Sequence, residues 1–312
     1  MPGIHTRKLN FYLKHILADL SPRRFYLSKG RMLMNEMLRN DTKLLNRANY
    51  YCKIQEHFTP CQKNSTLDLL SVLKEPSAPC YDLKSYLRYF PSNLRFDYNF
   101  LDLFDIPYGP TFVKNRPISK SNSRYVLMKL NSGRFFDFTR DKLRFEKKGN
   151  IAIFRGPCHR PHRKYFIKKC FEINNTDIGD TRPIQKSGKY HKSFMPVDEL
   201  LKNKFIISVE GSDVSSSLPW IMASNSLAFM TEPIFEGWFM QGKLIPNYHY
   251  VLLKDDYSDL EEKIDYYSSN ELDALEIINN AHKHVAQFFD HKSELITSLL
   301  VLEKYFKLSN QI

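Results

Sequence analysis

Residues 205–230, FIISVEGSDVSSSLPWIMASNSLAFM, carry the clearest fold pattern in this chain. The two apolar runs at the ends of this stretch, residues 205–209 and 226–230, are bounded by turn-forming residues and predict strands. Between them, apolar residues recur at helical spacing from Leu218 to Met222, which predicts a helix of about three turns. Strand, loop, helix and strand in this order indicate a βαβ unit, and therefore an α/β fold with a parallel sheet.

The loop between the first strand and the helix is rich in hydroxyl groups and contains a glycine. In parallel sheets, ligands bind outside the carboxyl ends of the strands, and a helix N-terminus presents unpaired N–H groups to an anion such as a nucleotide pyrophosphate. We therefore expect a nucleotide-binding loop here, formed by Glu210, Gly211, Ser212, Asp213, Val214, Ser215, Ser216 and Ser217. The alternative is an ordinary N-cap cluster without a ligand.

Length and composition allow several architectures but exclude some classes of protein. The chain has 312 residues, enough for two modest domains or one large one, and 42% hydrophobic with 14% aromatic residues predict a packed core. The five cysteines lack CxxC spacing, which favours reduced cytosolic thiols over a zinc site or a disulfide framework. We find neither a signal peptide nor a run of the roughly 20 apolar residues that a membrane span needs.

The net charge of +12 predicts an anionic partner, which can be a nucleic acid, a membrane surface or a phosphorylated small molecule. The charge is spread along the chain without a recognisable nucleic-acid module, so we expect no nucleic-acid partner. Residues 1–25 combine basic residues with apolar residues at helical spacing. This segment is either a basic amphipathic helix lying on a membrane or a surface helix packed on the domain by its apolar face.

In the rest of the chain, the sequence predicts helices and strands on both sides of one charged linker. Further strands are expected within residues 94–104, 111–113, 123–130 and 151–154. Helices are expected within residues 1–58, 81–90, 164–171, 260–267, 273–289 and 292–306, whereas residues 174–196 read as polar and irregular. A charged linker at residues 146–150 separates the two halves of the chain. We therefore predict domains at residues 1–147 and 148–290, followed by a C-terminal helix at residues 291–312.

Residues 155–163, RGPCHRPHR, place three arginines and two histidines directly after a predicted strand. Guanidinium groups form bidentate, charge-assisted bonds with phosphate oxygens, so this cluster suits a diphosphate. The alternative is a solvated basic face. His159 and His162 have no carboxylates or thiols nearby at ligand spacing, so we expect no metal site here.

Residues 205–260 also match a longer family pattern, residue by residue and in order. The matching residues are Glu210, Gly211, Asp213, Val214, Leu218, Trp220, Ser224, Asn225, Ser226, Glu236, Trp238, Phe239, Met240, Gly242, Leu244, Pro246, His249, Tyr250 and residues 256–260. The pattern resembles that of glycosyltransferase family 90, in its bacterial lipopolysaccharide A branch, which is related to protein O-glucosyltransferases. This resemblance covers most of the chain. It implies a GT-B architecture, with two Rossmann-like domains facing across a cleft and the last helix crossing back to the first domain.

The resemblance implies how a nucleotide-sugar donor is bound. An F-R-G element with a second arginine seven residues after the glycine is matched by Phe154, Arg155, Gly156 and Arg163. Arg163 is therefore expected to neutralise the diphosphate, on which charge builds up in the transition state. Relatives among the protein O-glucosyltransferases have an arginine where this chain has Ser217, and the hydroxyl and N–H groups of residues 213–217 are expected to replace it.

Glu236 matches a glutamate that binds ribose hydroxyls in GT-B enzymes. The alternative interpretation is that Glu236 is a surface glutamate in a Pro-rich loop. The chain departs from the family pattern at Gly237, where threonine is usual, and at Gln241, where glutamate is usual. Whether Glu236 alone serves the ribose stays open.

The family also implies a general base that takes the proton from the acceptor hydroxyl. Residues 110–118, PTFVKNRPI, match the family element P-T-x-V-K-S-R-P-I, and Asp102 falls where the family has its aspartate base. Leu101 stands where glycine is usual, and Asp105 is the second candidate; a turn-forming aspartate is the alternative for both. The candidates for binding anionic groups of the acceptor are Lys114, Arg116 and Arg134, each of which can also be an exposed charge.

Residues and resemblance together imply a cytoplasmic, inverting glycosyltransferase, peripheral on the inner face of the inner membrane. It would move a hexose from a UDP-sugar to a lipopolysaccharide or lipooligosaccharide core acceptor. No cofactor or metal is expected, because the acidic residues 255, 256 and 259 precede and cap a helix instead of forming an Asp-x-Asp pair at a strand end. The alternatives are a transferase for capsule or protein acceptors, a basic nucleic-acid-binding protein and a scaffold without activity.

Overall fold

The computed structural model describes residues 13, 21–37, 42–61, 77–102, 106–119, 121–130, 135, 136, 138 and 140–312, and for residues 35–37 the backbone alone. The helices are α1 (Arg23–Met37), α2 (Thr42–Tyr51), α3 (Ala78–Leu87), α4 (Pro161–Cys170), α5 (Ile184–Ser187), α6 (Val197–Leu200), α7 (Leu218–Met222), α8 (Leu260–Ser269), α9 (Glu271–Ala286) and α10 (His291–Leu308). The strands are β1 (Asp97–Asn99), β2 (Thr111–Val113), β3 (Asn115–Pro117), β4 (Tyr125–Leu127), β5 (Gly149–Gly156), β6 (Thr176–Asp180), β7 (Asn203–Ile207), β8 (Leu227–Met230), β9 (Phe235–Gly237) and β10 (Val251–Leu252).

Two compact units make up the chain. Unit 1 comprises Met1–Arg134, Phe235–Phe239 and Phe288–Ile312, and unit 2 comprises Phe135–Ile234 and Met240–Gln287. The boundary thus falls after residue 134, whereas the sequence predicts it after residue 147. The reason is visible within unit 2, where Phe145 is buried in the core and Asp141 forms an ion pair with Lys148 at 2.7 Å.

Unit 2 is built around a parallel sheet, as the sequence predicts. Among the described residues this sheet has five strands in the order β10-β8-β7-β5-β6, and each neighbouring pair is parallel. Phe205 of β7 lies in register with Ala152 on one side and Leu227 on the other. A central parallel strand is covered on both faces, and its sequence is therefore a continuous apolar run. This explains why residues 205–209 could be predicted as a strand.

Two elements of unit 2 differ from the sequence prediction. The helix α7 has five residues instead of about three turns, and after it the hydroxyl of Ser224 donates to the carbonyl of Ile221 at 2.6 Å. The strand β6, TDIGD, lies in the segment that the sequence predicts to be irregular. At an edge of the described sheet a strand needs few apolar residues, and in β6 Ile178 is the one large apolar side chain that is buried.

Unit 1 contains a second, smaller parallel sheet and most of the helices near the chain ends. Its strands β1, β2 and β4 pair in that order, and β3 pairs antiparallel with β9. The helix α10 packs on α2 and buries an apolar face that includes Leu299, Leu302 and Phe306. The C-terminal helix therefore belongs to unit 1, although unit 2 precedes it in the chain.

Most of the basic N-terminal segment, on which a membrane-lying helix is predicted, lies outside the described residues, and α1 begins at its last basic pair, Arg23 and Arg24. Within the part of the chain that the structure describes, no helix combines the length and the hydropathy required to cross a membrane.

Candidate functional site

The loop that follows β7 lies at the carboxyl edge of the parallel sheet in unit 2. The amide of Gly211 donates to the carbonyl of Asp213 at 2.9 Å and closes a turn, and the carboxylate of Glu210 accepts from the amide of Ile234 at 3.1 Å. Of the predicted loop residues, Val214 and Ser215 are buried, and the other six are half-buried. The loop is thus held by its own bonds and by the backbone amide of Ile234.

The hydroxyls of the loop bond to one another. Ser208 donates to Ser215 at 2.9 Å, and Ser215 and Ser217 are joined at 2.9 Å. Ser217 stands at the N-cap of α7, but its side chain makes no capping bond. Since the helix dipole is a sum over aligned peptides, this short helix offers an anion less than the longer helix predicted from the sequence.

Arg163, the residue predicted to meet the diphosphate, lies on α4 and reaches the end of β7. Its guanidinium donates to the carbonyls of Glu210 at 2.7 Å, Val209 at 2.6 Å and Pro157 at 3.2 Å. A side chain at Gly211 would bring a Cβ within 3.8 Å of its Nη2. The positive charge is therefore fixed at the strand end, beside the loop.

Two more side chains from the start of α4 bind the same loop. Arg160 donates through Nε to the hydroxyl of Ser212 at 2.9 Å, and Nε2 of His162 lies 2.9 Å from the carbonyl of Glu210. Burial, followed by the charges of three nearby arginines, lowers the pKa of His159. The cationic segment and the loop, which are separate in sequence, thus form one cluster. No group of three or more His, Cys, Asp and Glu side chains in the described part of the chain is arranged to hold a metal ion.

Arg155 is not brought together with Arg163. Its guanidinium forms an ion pair with Asp177 of β6 at 2.6 Å and donates to the carbonyl of the same residue at 2.7 Å. The side chain is largely buried. Gly156, beside it, packs so tightly that an added Cβ would stand 3.0 Å from the ring of Phe154. The donor role predicted for Arg155 stays a prediction.

The sequence reading missed a second arginine–aspartate pair at the same edge. Asp180, the last residue of β6, accepts at Oδ2 from Nε and Nη2 of Arg182 and at Oδ1 from the same Nε, and its carboxylate is almost wholly buried. Oδ1 also accepts from the amide of Cys158 at 3.1 Å. Only the polar pair Asp-x-Arg at the end of a strand could have indicated it, and that strand was itself not predicted.

Glu236 lies in unit 1, on β9, in register with Arg116 of β3. Arg116 donates to its carboxylate at 2.7 Å and to the carbonyls of three residues, while the hydroxyl of Tyr50 donates to the second oxygen. Glu236 is 2% exposed and Arg116 1%. Neither is the surface charge that the sequence allowed. A ribose bound to Glu236 would have to replace these partners, so its ribose role stays a prediction.

The departure from the family pattern at Gly237 has a structural reason. Gly237 is the cross-strand partner of Asn115, which stands where the family has serine. A Cβ at Gly237 would collide with Oδ1 of Asn115 and stand 3.1 Å from the carbonyl of Lys114. The larger residue on one strand is thus matched by the smaller residue on the other.

Asp102, the predicted base, follows β1 near the carboxyl edge of the sheet in unit 1. It forms an ion pair with Lys114 at 2.5 Å, and the side chain of Asp102 is 33% exposed. Lys114, a predicted acceptor ligand, comes directly after β2, so the parallel sheet brings these two predicted residues together. The second candidate base, Asp105, and the predicted acceptor residue Arg134 lie outside the described residues.

Comparison with known proteins shows the family to which this chain belongs. The family model described as glycosyl transferase family 90 matches residues 129–311. The chain is 38% identical over 306 residues to O-glucosyltransferase LpsA of Dichelobacter nodosus, covering 96% of each chain. It is also 32% identical over 146 residues to Protein O-glucosyltransferase 2 of Danio rerio, covering 43% of this chain and 28% of that protein. The family model and the near full-length match lead to one conclusion: this chain is a glycosyltransferase and belongs to glycosyl transferase family 90.

Proposed function

We propose that this glycosyltransferase moves a hexose, with glucose the first candidate, from a UDP-sugar to the core of lipopolysaccharide or lipooligosaccharide. The observation that supports this most is Arg163, a cation held by three carbonyls at the carboxyl end of β7. Glucose is suggested by the name of the relative that matches nearly the whole chain, O-glucosyltransferase LpsA. The acceptor class rests on the family branch that the sequence resembles.

In this proposal the donor binds at the carboxyl edge of the parallel sheet in unit 2. The diphosphate lies against Arg163 and the loop of residues 210–217, where partly exposed groups such as Gly211 and Ser216 can approach it. As the bond from the anomeric carbon to the phosphate oxygen breaks, negative charge moves to the UDP leaving group. A cation already fixed in place stabilises that charge without reorganising.

The acceptor is activated from unit 1. Asp102 takes the proton of the acceptor hydroxyl. At the same time the oxygen of that hydroxyl forms the new bond to the anomeric carbon, so one displacement inverts that centre. Lys114 forms an ion pair with Asp102 at 2.5 Å and so holds this carboxylate in position beside β2. Asp105 remains the second candidate for the base, and Lys114 and Arg134 are candidates for anionic groups of the acceptor. The GT-B arrangement is part of this proposal.

Metal-independent transfer and a peripheral position on the cytoplasmic face of the inner membrane complete the proposal. The net charge of +12 suits both an anionic membrane surface and a phosphorylated acceptor. The proposed diphosphate-binding groups are cationic side chains and backbone amides, which can neutralise a leaving diphosphate in place of a divalent ion.

The test is a panel of UDP-, GDP-, ADP- and CMP-sugars, assayed for binding and donor hydrolysis by the purified protein with EDTA present. We expect selective UDP-sugar binding that Arg163→Ala abolishes. We expect Asp102→Asn to retain donor binding and lose transfer to a deacylated lipooligosaccharide core. If no nucleotide sugar binds, the donor assignment is wrong; if activity requires a divalent ion, metal independence is wrong.

A protein acceptor is the second candidate, because part of the chain is similar to Protein O-glucosyltransferase 2. The discriminating measurement offers the enzyme, with its preferred donor, equal concentrations of lipooligosaccharide core and folded small protein domains. Transfer to the saccharide alone supports the first proposal. Transfer to the protein domains alone supports the second.

A further inference from the structure

The ion pair between Asp180 and Arg182 holds an arginine side-on at the carboxyl edge of β6. Oδ2 of Asp180 accepts from Nε at 2.9 Å and from Nη2 at 2.6 Å, while Oδ1 accepts from the amide of Arg182 at 3.0 Å. The carboxylate is 2% exposed and the arginine side chain 20%. A planar guanidinium bound at one edge by a buried carboxylate has a defined orientation.

The opposite edge of this guanidinium carries the donors that Asp180 does not use. A guanidinium has five N–H groups, and binding through Nε and Nη2 leaves both hydrogens of Nη1 and one of Nη2. In the described part of the chain no hydrogen bond from Nη1 of Arg182 occurs. That edge has the geometry for two oxygens of one phosphate.

Arg182 belongs to the same edge of the sheet as the arginines of residues 155–163. Asp180 binds the amide of Cys158, and the amide of Thr181 donates to the carbonyl of Gly156 at 3.2 Å. The pKa of His159 is lowered first by burial and then by the charges of Arg160, Arg163 and Arg182. The guanidinium groups of two neighbouring segments, residues 155–163 and residues 180–182, thus lower the pKa of the same imidazole, that of His159.

We propose that Arg182 is a further diphosphate-binding cation of this enzyme and that Asp180 is the positioning residue that orients it. The inference rests on the proposed donor site at this edge and adds a residue from outside the F-R-G element. A second cation would share the charge of the diphosphate with Arg163, whose own donors are already directed at backbone carbonyls.

The experiment measures binding of inorganic pyrophosphate, and separately of UDP, by calorimetry with EDTA present. We expect Arg182→Met to weaken pyrophosphate binding by about 10- to 100-fold, the range for losing charge-assisted hydrogen bonds, and Arg182→Lys to weaken it less. The matched control is Lys189→Met, which removes one positive charge from an exposed ion pair in the same segment and should leave the affinity unchanged.

Asp180→Asn tests the positioning role separately. If Asp180 acts by orienting Arg182, its substitution weakens pyrophosphate binding in the wild type but adds little in the Arg182→Met background, so the double-mutant cycle is strongly non-additive. A purely structural role would lower the melting temperature and give additive effects on affinity. Melting temperatures of all variants are measured alongside.

The outcomes separate this inference from the proposed function. If wild type binds pyrophosphate and Arg182→Met binds it as well as Lys189→Met does, the role of Arg182 is overturned and the donor proposal stands. If pyrophosphate binding depends on Arg182 but no UDP-sugar binds, the role of Arg182 stands and the donor proposal fails. If wild type binds neither pyrophosphate nor UDP, both are overturned.

Discussion

Glu294 of α10 is the buried carboxylate whose loss we expect to destabilise unit 1 most. It accepts from Arg47 at 2.6 Å, from Lys129 at 2.6 Å and from the indole N–H of Trp238 at 2.8 Å. Glu294 is 3% exposed, and Arg47 and Lys129 are each 8% exposed. One carboxylate thus compensates two buried cations and joins α10 to three other parts of unit 1.

The change Glu294→Gln keeps the shape of the side chain and removes its charge. Two buried cations then lose the negative charge of Glu294, and one polar atom of the amide becomes a donor facing other donors. Removing one partner of a buried ion pair costs about 3–5 kcal/mol, a large part of the roughly 5–15 kcal/mol that stabilises a domain. At about 2–4 °C per kcal/mol for units of 150–250 residues, the melting temperature should fall by roughly 6–20 °C.

The assay is thermal and denaturant unfolding followed by circular dichroism and tryptophan fluorescence. The control on the same helix is Glu303→Gln, which breaks a pair between a half-buried carboxylate and the exposed Lys307 and should cost about 1 kcal/mol or less. Replacing Glu294, Arg47 and Lys129 together by methionine should recover most of the loss, because an apolar cluster of similar volume needs no counter-charge. A Glu294→Gln protein as stable as Glu303→Gln would show that Glu294 does not compensate the buried charges of Arg47 and Lys129.

Three further predictions concern other charged or tightly packed residues. Glu236→Gln should lower the free energy of unfolding by about 3 kcal/mol, and the predicted ribose role requires that it also weaken UDP binding in a titration of the folded variant; unchanged UDP affinity would contradict that role. Gly237→Thr should destabilise the protein in a melting experiment, and Asn115→Ser in the same chain should restore it, since the added Cβ meets the Asn115 amide; equal melting temperatures for the single and double variants would contradict this. Burial alone would raise the pKa of Asp180, but hydrogen bonds from Arg182 and a backbone amide outweigh burial and lower it. The ion pair therefore contributes stability above about pH 4, the unfolded value, and loses it as the pH falls through the lowered folded pKa, so wild type should lose more stability than Asp180→Asn as the pH falls below about 4 in denaturant titrations.

The elements that the sequence predicted well are those whose burial is uniform. The strand β7 is covered on both faces and reads as an apolar run, and α10 repeats large apolar residues such as Leu295 and Leu299 at helical spacing. The strand β6 was missed because an edge strand needs little apolar surface. The helix α7 was predicted too long, since its apolar spacing does not show where the following turn begins.

The cationic site, too, was predicted in part from the sequence and in part missed. Residue types and spacing indicated that arginines near residues 155–163 would meet an anion, but Arg155 and Arg163 have the same chemistry in the sequence. In the structure Arg155 binds Asp177 on the edge strand, whereas Arg163 binds the end of β7. Which strand a side chain meets depends on strand order, and periodicity carries no information about strand order.

The α/β class, the parallel sheet of unit 2 and the membership of glycosyl transferase family 90 could be predicted from the amino-acid sequence, because they follow from local patterns and from residues matched in order. The partners of the buried charges became known from the folded structure alone. Glu236 meets Arg116 across a separation of 120 residues, and Glu294 meets Arg47 across 247. Such pairs form because folding brings distant segments together and a buried charge then requires a counter-charge, a condition that no local stretch of sequence displays.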